Sequence, residues 1–343
     1  MSHLDEGSSA EGSVSPSGEG DSPATGAPTE PDAPTRPRRR WVATVVLGAI
    51  VVAALAYGAW YAYREVERSR DIEARFTAAR DRLAALEADL LLVDAAVQEG
   101  LSSASETATA DALDRAGVVA EGAREVSATI AGLMSDLPDE QVPLANALKA
   151  SAAARAEMMD EAPLVLETDL KAAAAIVAAD AALAEIKAAD ESIAKASTEF
   201  NRHVKAGVEA STAHSSQAEL HLNAAKSAFT TATAAFPEAD FSSFVGYVDA
   251  KLALVAEAKA IDALWLAGKL AESNTRLDAY NTKEAAIVEM AKALPESVRD
   301  PIADAYESVT SGAIARYYEA RERARAAGDE VERLQAALDA KQD

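Results

Sequence analysis

The chain has no cysteine among its 343 residues. That absence excludes disulfides, thiolate metal sites and cysteine nucleophiles. It fits an oxidising exterior, where stray thiols are a liability, and is compatible with a cytoplasmic domain as well. Catalytic signatures are also missing: there is no H-E-x-x-H, no G-x-x-x-x-G-K, no G-x-S-x-G, and no Gly-rich turn following a strand. The expectation is therefore a protein that is not an enzyme, with no catalytic, cofactor-binding or metal-binding residues. Positive charge is scarce too, with 33 Lys and Arg against 56 Asp and Glu, for a formal net charge of -23. Such a surface repels phosphate backbones, so nucleic acid is excluded from the expected partners. Strand signals are absent.

One long apolar run organises what is present. Residues 41–62 read WVATVVLGAIVVAALAYGAWYA, without a charge and with Thr44 as the one clearly polar side chain. At about 1.5 Å per residue the run can cross a hydrocarbon core of about 30 Å. Trp41 opens it, and Tyr57, Trp60, Tyr61 and Tyr63 close it, as aromatic belts at two interfaces would. The expectation is a transmembrane signal-anchor helix over residues 41–62.

Residues 1–40 hold six of the twelve prolines and five of the sixteen glycines, and almost no large apolar side chain. A segment of this kind has too little to bury to offset its ordering entropy, so it reads as a disordered arm. Thr25, Thr29 and Thr35 stand in its Pro-rich part, where a kinase could reach them. Arg36, Arg38, Arg39 and Arg40 abut the span as a compact cluster ahead of the first apolar segment, the position that usually dominates, against Arg64, Arg68, Arg70, Arg75 and Arg80 beyond it. The positive-inside bias then puts the arm in the cytoplasm and residues 63–343 outside.

The remainder reads as helices. Ile72, Phe76, Ala79, Leu83, Leu86, Leu90, Val93 and Val97 recur at alternating steps of four and three, a heptad seam. A helix running from the span to about Gly100, then a loop over 101–109, is expected. A second seam, Leu113, Ala116, Ala120, Ala123, Ser127, Ile130, Met134 and Leu137, should return antiparallel to it. Leu137-Pro138, Phe236-Pro237 and Leu294-Pro295, each followed by an acid, punctuate the rest into helical hairpins. Further breaks are expected near Pro163 and around Gly207 to Ser216. Leu166, Leu170, Ala173 and Val177 mark the face of an Ala-rich helix, and Trp265, between Leu264 and Leu266, belongs to the core. In the helix carrying Leu277, Tyr280, Ile287 and Ala291, Glu284 falls where an apolar residue is expected. The fold class is all-α: disordered arm, single transmembrane helix, and an elongated multi-helix, coiled-coil-like bundle.

Two residue sets invite a functional reading. His203, His214 and His221 are 11 and 7 residues apart and would share one face of an uninterrupted helix. Seven residues span about 10.5 Å, too far for one zinc ion, so the three read as ordinary polar side chains facing solvent. Projecting the heptad phase back into the span gives a stripe of Gly48, Val51, Leu55, Gly58 and Ala62, with the small residues that let helix backbones approach in lipid. That stripe is the expected face of a homodimer.

The layout resembles single-span envelope proteins with long Ala-rich helical domains, and the helical-bundle sensor domains of bacterial receptors, although no receptor output domain follows. The expected function is a membrane-anchored, non-enzymatic binding or scaffolding component of a bacterial cell envelope, with the bilayer and an envelope protein as partners. The alternative is an extracytoplasmic small-ligand sensor signalling through the arm.

Overall fold

The computed structural model describes residues 38–101 and 106–342, and every regular element among them is an α-helix. They are α1 (Arg38–Ala85), α2 (Glu87–Glu99), α3 (Glu106–Leu133), α4 (Val142–Phe200), α5 (Lys205–Ala235), α6 (Ser242–Leu266), α7 (Leu270–Lys292) and α8 (Asp300–Gln342). The chain divides into two units, Met1–Glu65 and Val66–Asp343. The arm, apart from residues 38–40, lies outside the described residues, as do Thr25, Thr29, Thr35 and Arg36.

In the first unit the described part is helical. Val46, Leu47, Ile50, Val51, Val52 and Leu55 are each more than half exposed. Among the described residues no helix is long and apolar enough to cross a membrane. The side chains of residues 41–45 and Gly48, six positions of the expected span, lie outside that set.

The second unit is built along α4. Its 59 residues extend about 90 Å at 1.5 Å per residue. The core therefore forms successive clusters along this helix. One joins Phe76, Ala79 and Leu83 of α1 to Ile130 of α3 and Leu144 and Leu148 of α4. The middle one joins Val93 of α2, Val119 of α3, Met158 and Leu166 of α4, and Tyr317 of α8. The last joins Ala-rich α4 to Leu222 and Phe229 of α5, Phe244 and Val248 of α6, and Ile302 of α8.

The first heptad seam is where the spacing puts it, with Phe76, Ala79, Leu83, Leu90, Val93 and Val97 buried. Its helix is interrupted at Leu86, whose N–H is shared between the carbonyls of Arg82 and Leu83, both at 3.3 Å. The second seam is wider than expected. Val119, Val126 and Leu133 are buried beside Ala116, Ala123 and Ile130, whereas Ser127 and Met134 are half-buried. A helix covered on two sides buries more than an a/d stripe. The expected loop over 101–109 is shorter, since α3 already begins at Glu106.

Three further expectations are corrected. Pro163 does not break the chain: it lies inside α4, which runs on for 37 residues to Phe200. An interior proline removes one backbone hydrogen bond and costs about 3 kcal/mol. Met158, Met159, Ala162, Val165 and Leu166 are all fully buried around it and hold the helix on both sides. The break lies instead at residues 201–204, where His203 adopts φ 53°, and α5 then runs unbroken through Gly207 and Ser211 to Ser216. Gly207 serves that tight turn, because a Cβ there would lie 2.5 Å from the carbonyl oxygen of Glu199. The inward face of α4 is also rotated: Val177 is exposed, and Ala172, Ala175, Ala179 and Ala182 make the contact.

The proline corners do separate helices, with a few residues of turn in each. Leu137 and Phe236, just before the prolines, plug the core. Asp240 accepts from the Ser242 N–H at 2.8 Å to open α6, and Asp300 accepts from the Ser297 N–H at 2.8 Å before α8. Gly268, at φ 72°, turns α6 into α7, with the Lys269 N–H donating to the Leu264 carbonyl at 2.9 Å.

Two buried polar sites lie between α8 and its neighbours. Asp94 accepts from the Tyr317 hydroxyl at 2.9 Å and from the Arg321 guanidinium at 2.9 Å, a charge-compensated lock between α2 and α8. Farther along, Asp169 of α4 faces Tyr306 of α8, and neither carboxylate oxygen nor the phenol completes a hydrogen bond.

Candidate ligand cavity between α4, α5, α6 and α7

Towards the end of α4, residues of α4, α5, α6 and α7 line a cavity of about 530 Å³. The space follows from composition. The inward face of α7 is poor in apolar residues, and only Ser273 and Ile287 of that helix are buried. The Ser273 hydroxyl donates to the Ile261 carbonyl of α6 at 3.4 Å, and Arg276 and Lys283 both reach Glu257 of α6 at 3.3 and 3.1 Å. Such a helix cannot draw the bundle shut.

The walls are mixed. Ile193 and Phe200 of α4, Val255 and Ile261 of α6, and Leu277 of α7 supply apolar surface. Ser211 and Ser215 of α5, both nearly fully buried, supply hydroxyls. Three carboxylates reach the cavity: Asp190, Asp262 and Glu284. Asp262 is 1% exposed and accepts from the Thr212 hydroxyl at 3.0 Å. Burial pushes its carboxyl above the ordinary range, and the Ser211 and Thr212 hydroxyls oppose that shift in part.

Asp190 has its own cation, the nearly buried Lys251 of α6, which also lies 5.0 Å over the Tyr247 ring. Burial alone would lower the Lys251 ammonium, but the hydrogen bond and charge of Asp190 outweigh it and the group ends above its ordinary value. Tyr280 is pushed up to about 12, by burial first and by the Glu284 charge second, so it is a neutral phenol at any physiological pH.

The residues singled out by sequence are placed as follows. His203 lines the cavity from the α4–α5 turn, edge-on to Phe200 at 6.1 Å between ring centroids. His221 is elsewhere on α5, 2.7 Å from Glu185 and 3.0 Å from Gln217. The three histidines therefore do not share a helix face, because His203 is not on α5. Among the described residues no three His, Asp or Glu side chains are grouped to hold a metal ion. Trp265 is half-buried, not core, at the end of α6.

Val51, Leu55, Gly58 and Ala62 lie in α1, and a Cβ on Gly58 would meet nothing within 4 Å. Gly48 shares that helix, and Arg38, Arg39 and Arg40 form its first turn.

Glu284 was legible as an exception to its seam. Asp262 was missed, although an acid between Ile261 and Ala263 in the apolar run to Leu266 is the same kind of signal. No protein-family model, curated protein or solved structure matches this chain.

Proposed function

We propose that the chain is a membrane-anchored, non-enzymatic binding protein of a bacterial envelope, and that its bundle takes a small organic ligand into the α4–α7 cavity. The cavity carries this reading. Its volume of about 530 Å³ is that of small-molecule sites, and it combines apolar walls with a few convergent polar groups. Scaffolding alone gives no reason to set Asp262 and Glu284 against such a space. The lightly packed α7 makes one wall, so occupation would be felt by a whole helix. That is the coupling a sensor signalling through the arm requires.

The test is a thermal-shift screen of the full chain in nanodiscs against a metabolite panel. One compound class is expected to raise the melting temperature saturably, because a ligand held only by the folded state stabilises it by mass action. No shift from any compound would return the bundle to a scaffolding role.

Residues 41–62 are proposed as the anchor, with residues 1–40 inside and 63–343 outside. The uncharged run, the arginine cluster ahead of it and the exposed apolar side chains of α1 support this arrangement. Arg64 lies 4.6 Å over the Trp60 ring, a pairing suited to the outer interface. A reporter fused at Asp343 is expected to be exported. Cytoplasmic activity of the fusion would reverse the topology.

A further inference from the structure

We infer that the α4–α7 cavity is selective for an organic cation, an amine or quaternary ammonium on an apolar body, with Asp262 and Glu284 as its counter-charges. The inference rests on the reading of this cavity as a ligand site and names the ligand's chemistry.

The argument is one of charge balance. A carboxylate taken out of water is costly unless it meets a positive charge as well as hydrogen-bond donors. Asp262, at 1% exposure, meets donors only: Thr212 at 3.0 Å and the neighbouring Ser211 hydroxyl. A hydroxyl satisfies an oxygen lone pair and leaves the charge in place. Among the described residues no ion pair engages Asp262 or Glu284, whereas Asp190 on the opposite wall is matched by Lys251. The uncompensated negative charge at the cavity is therefore carried by α6 and α7.

Each ligand class meets this wall differently. An anion would face two unmatched carboxylates. A neutral molecule would fill the space beside Asp262 without supplying charge. A cation supplies what is missing, and the lining includes two aromatic rings, Phe200 and the neutral Tyr280, of the kind that attract an ammonium. Ile193, Val255 and Leu277 require the rest of the molecule to be apolar. The chain's net charge of -23 enriches cations near its surface before they bind. A ligand held between Asp262 of α6 and Glu284 of α7 would also tie down a helix of which only Ser273 and Ile287 are buried.

The test uses the full chain in nanodiscs and isothermal calorimetry with matched probes: phenethylamine, 2-phenylethanol and phenylacetate, then hexylamine, hexanol and hexanoate. The amines are expected to bind saturably, about tenfold or more tightly than their neutral and anionic counterparts. Asp262→Asn and Glu284→Gln should each weaken amine binding about fivefold or more while leaving the alcohols unchanged. Glu284 is exposed, so its variant keeps the fold even if Asp262→Asn disturbs packing. Hydrogen exchange should slow across α7 with the amines alone. Equal binding of amines and alcohols, unaffected by either variant, would overturn the cation assignment and leave the ligand cavity standing. No binding by any member of either set would overturn both.

Discussion

Replacing Asp169 by Asn is expected to stabilise the protein at pH 7.5 by about 1–3 kcal/mol and to give no gain at pH 4. Asp169 is 6% exposed, and both of its carboxylate oxygens lack a hydrogen-bond partner. Burial drives its carboxyl up to about 6, against a smaller lowering by the nearby Tyr306 hydroxyl. The folded state thus holds the proton more tightly than the unfolded chain, whose carboxyl titrates near 3.8. Stability associated with the protonated group is complete below that lower value and is lost as pH rises through about 6. The rise from 3.8 to about 6 corresponds to about 3 kcal/mol, the ceiling for the gain, and the buried amide left by Asn takes back part of it. Urea denaturation of wild type and variant at pH 4, 5, 6 and 7.5 checks this. The two curves should converge on acidification, and a variant less stable than wild type at pH 7.5 would refute the account.

Truncating Phe229 to Ala is expected to cost about 3–5 kcal/mol, the largest loss available from one side chain in the last cluster. The ring is fully buried, with its centroid 5.7 Å from that of Phe241 and 5.6 Å from that of Phe244. Its neighbours along α5 are Ala225 and Ala232, which have no rotamers with which to fill the space. An Ala-rich interface gains its stability from close backbone approach, so the few aromatic groups in it carry a disproportionate share of buried apolar area. Leu220→Ala on the same helix, at 64% exposure, should change stability by less than about 0.5 kcal/mol. Denaturant midpoints of the two variants give the comparison, and similar losses from both would show that the cluster repacks freely.

Helical periodicity was enough to locate the all-α class, the first heptad seam and the corners at Pro138, Pro237 and Pro295. These are local properties: a 3,4 spacing has one face, and proline cannot donate to the preceding turn. Local rules misread Pro163, because the penalty of an interior proline is smaller than the packing of five buried neighbours on α4. They also misread Val177, which is exposed while Ala175 is buried. Hydrophobicity favours the larger side chain for the core, but two helices that approach closely can place only the smaller one between them.

The candidate site divides along the same line. The departure of Glu284 from its seam was visible in one dimension, since a helix face either keeps its period or breaks it. That Asp262, fifty residues from Thr212, accepts its hydroxyl and lines the same cavity as Glu284, while Asp190 has Lys251 for a partner, required four helices to be brought together. The sequence alone determined the all-α class, the first heptad seam and the proline corners, because these depend on neighbours within a turn or two. Only the tertiary structure decided which charges are matched, because that depends on distances between residues far apart in the chain.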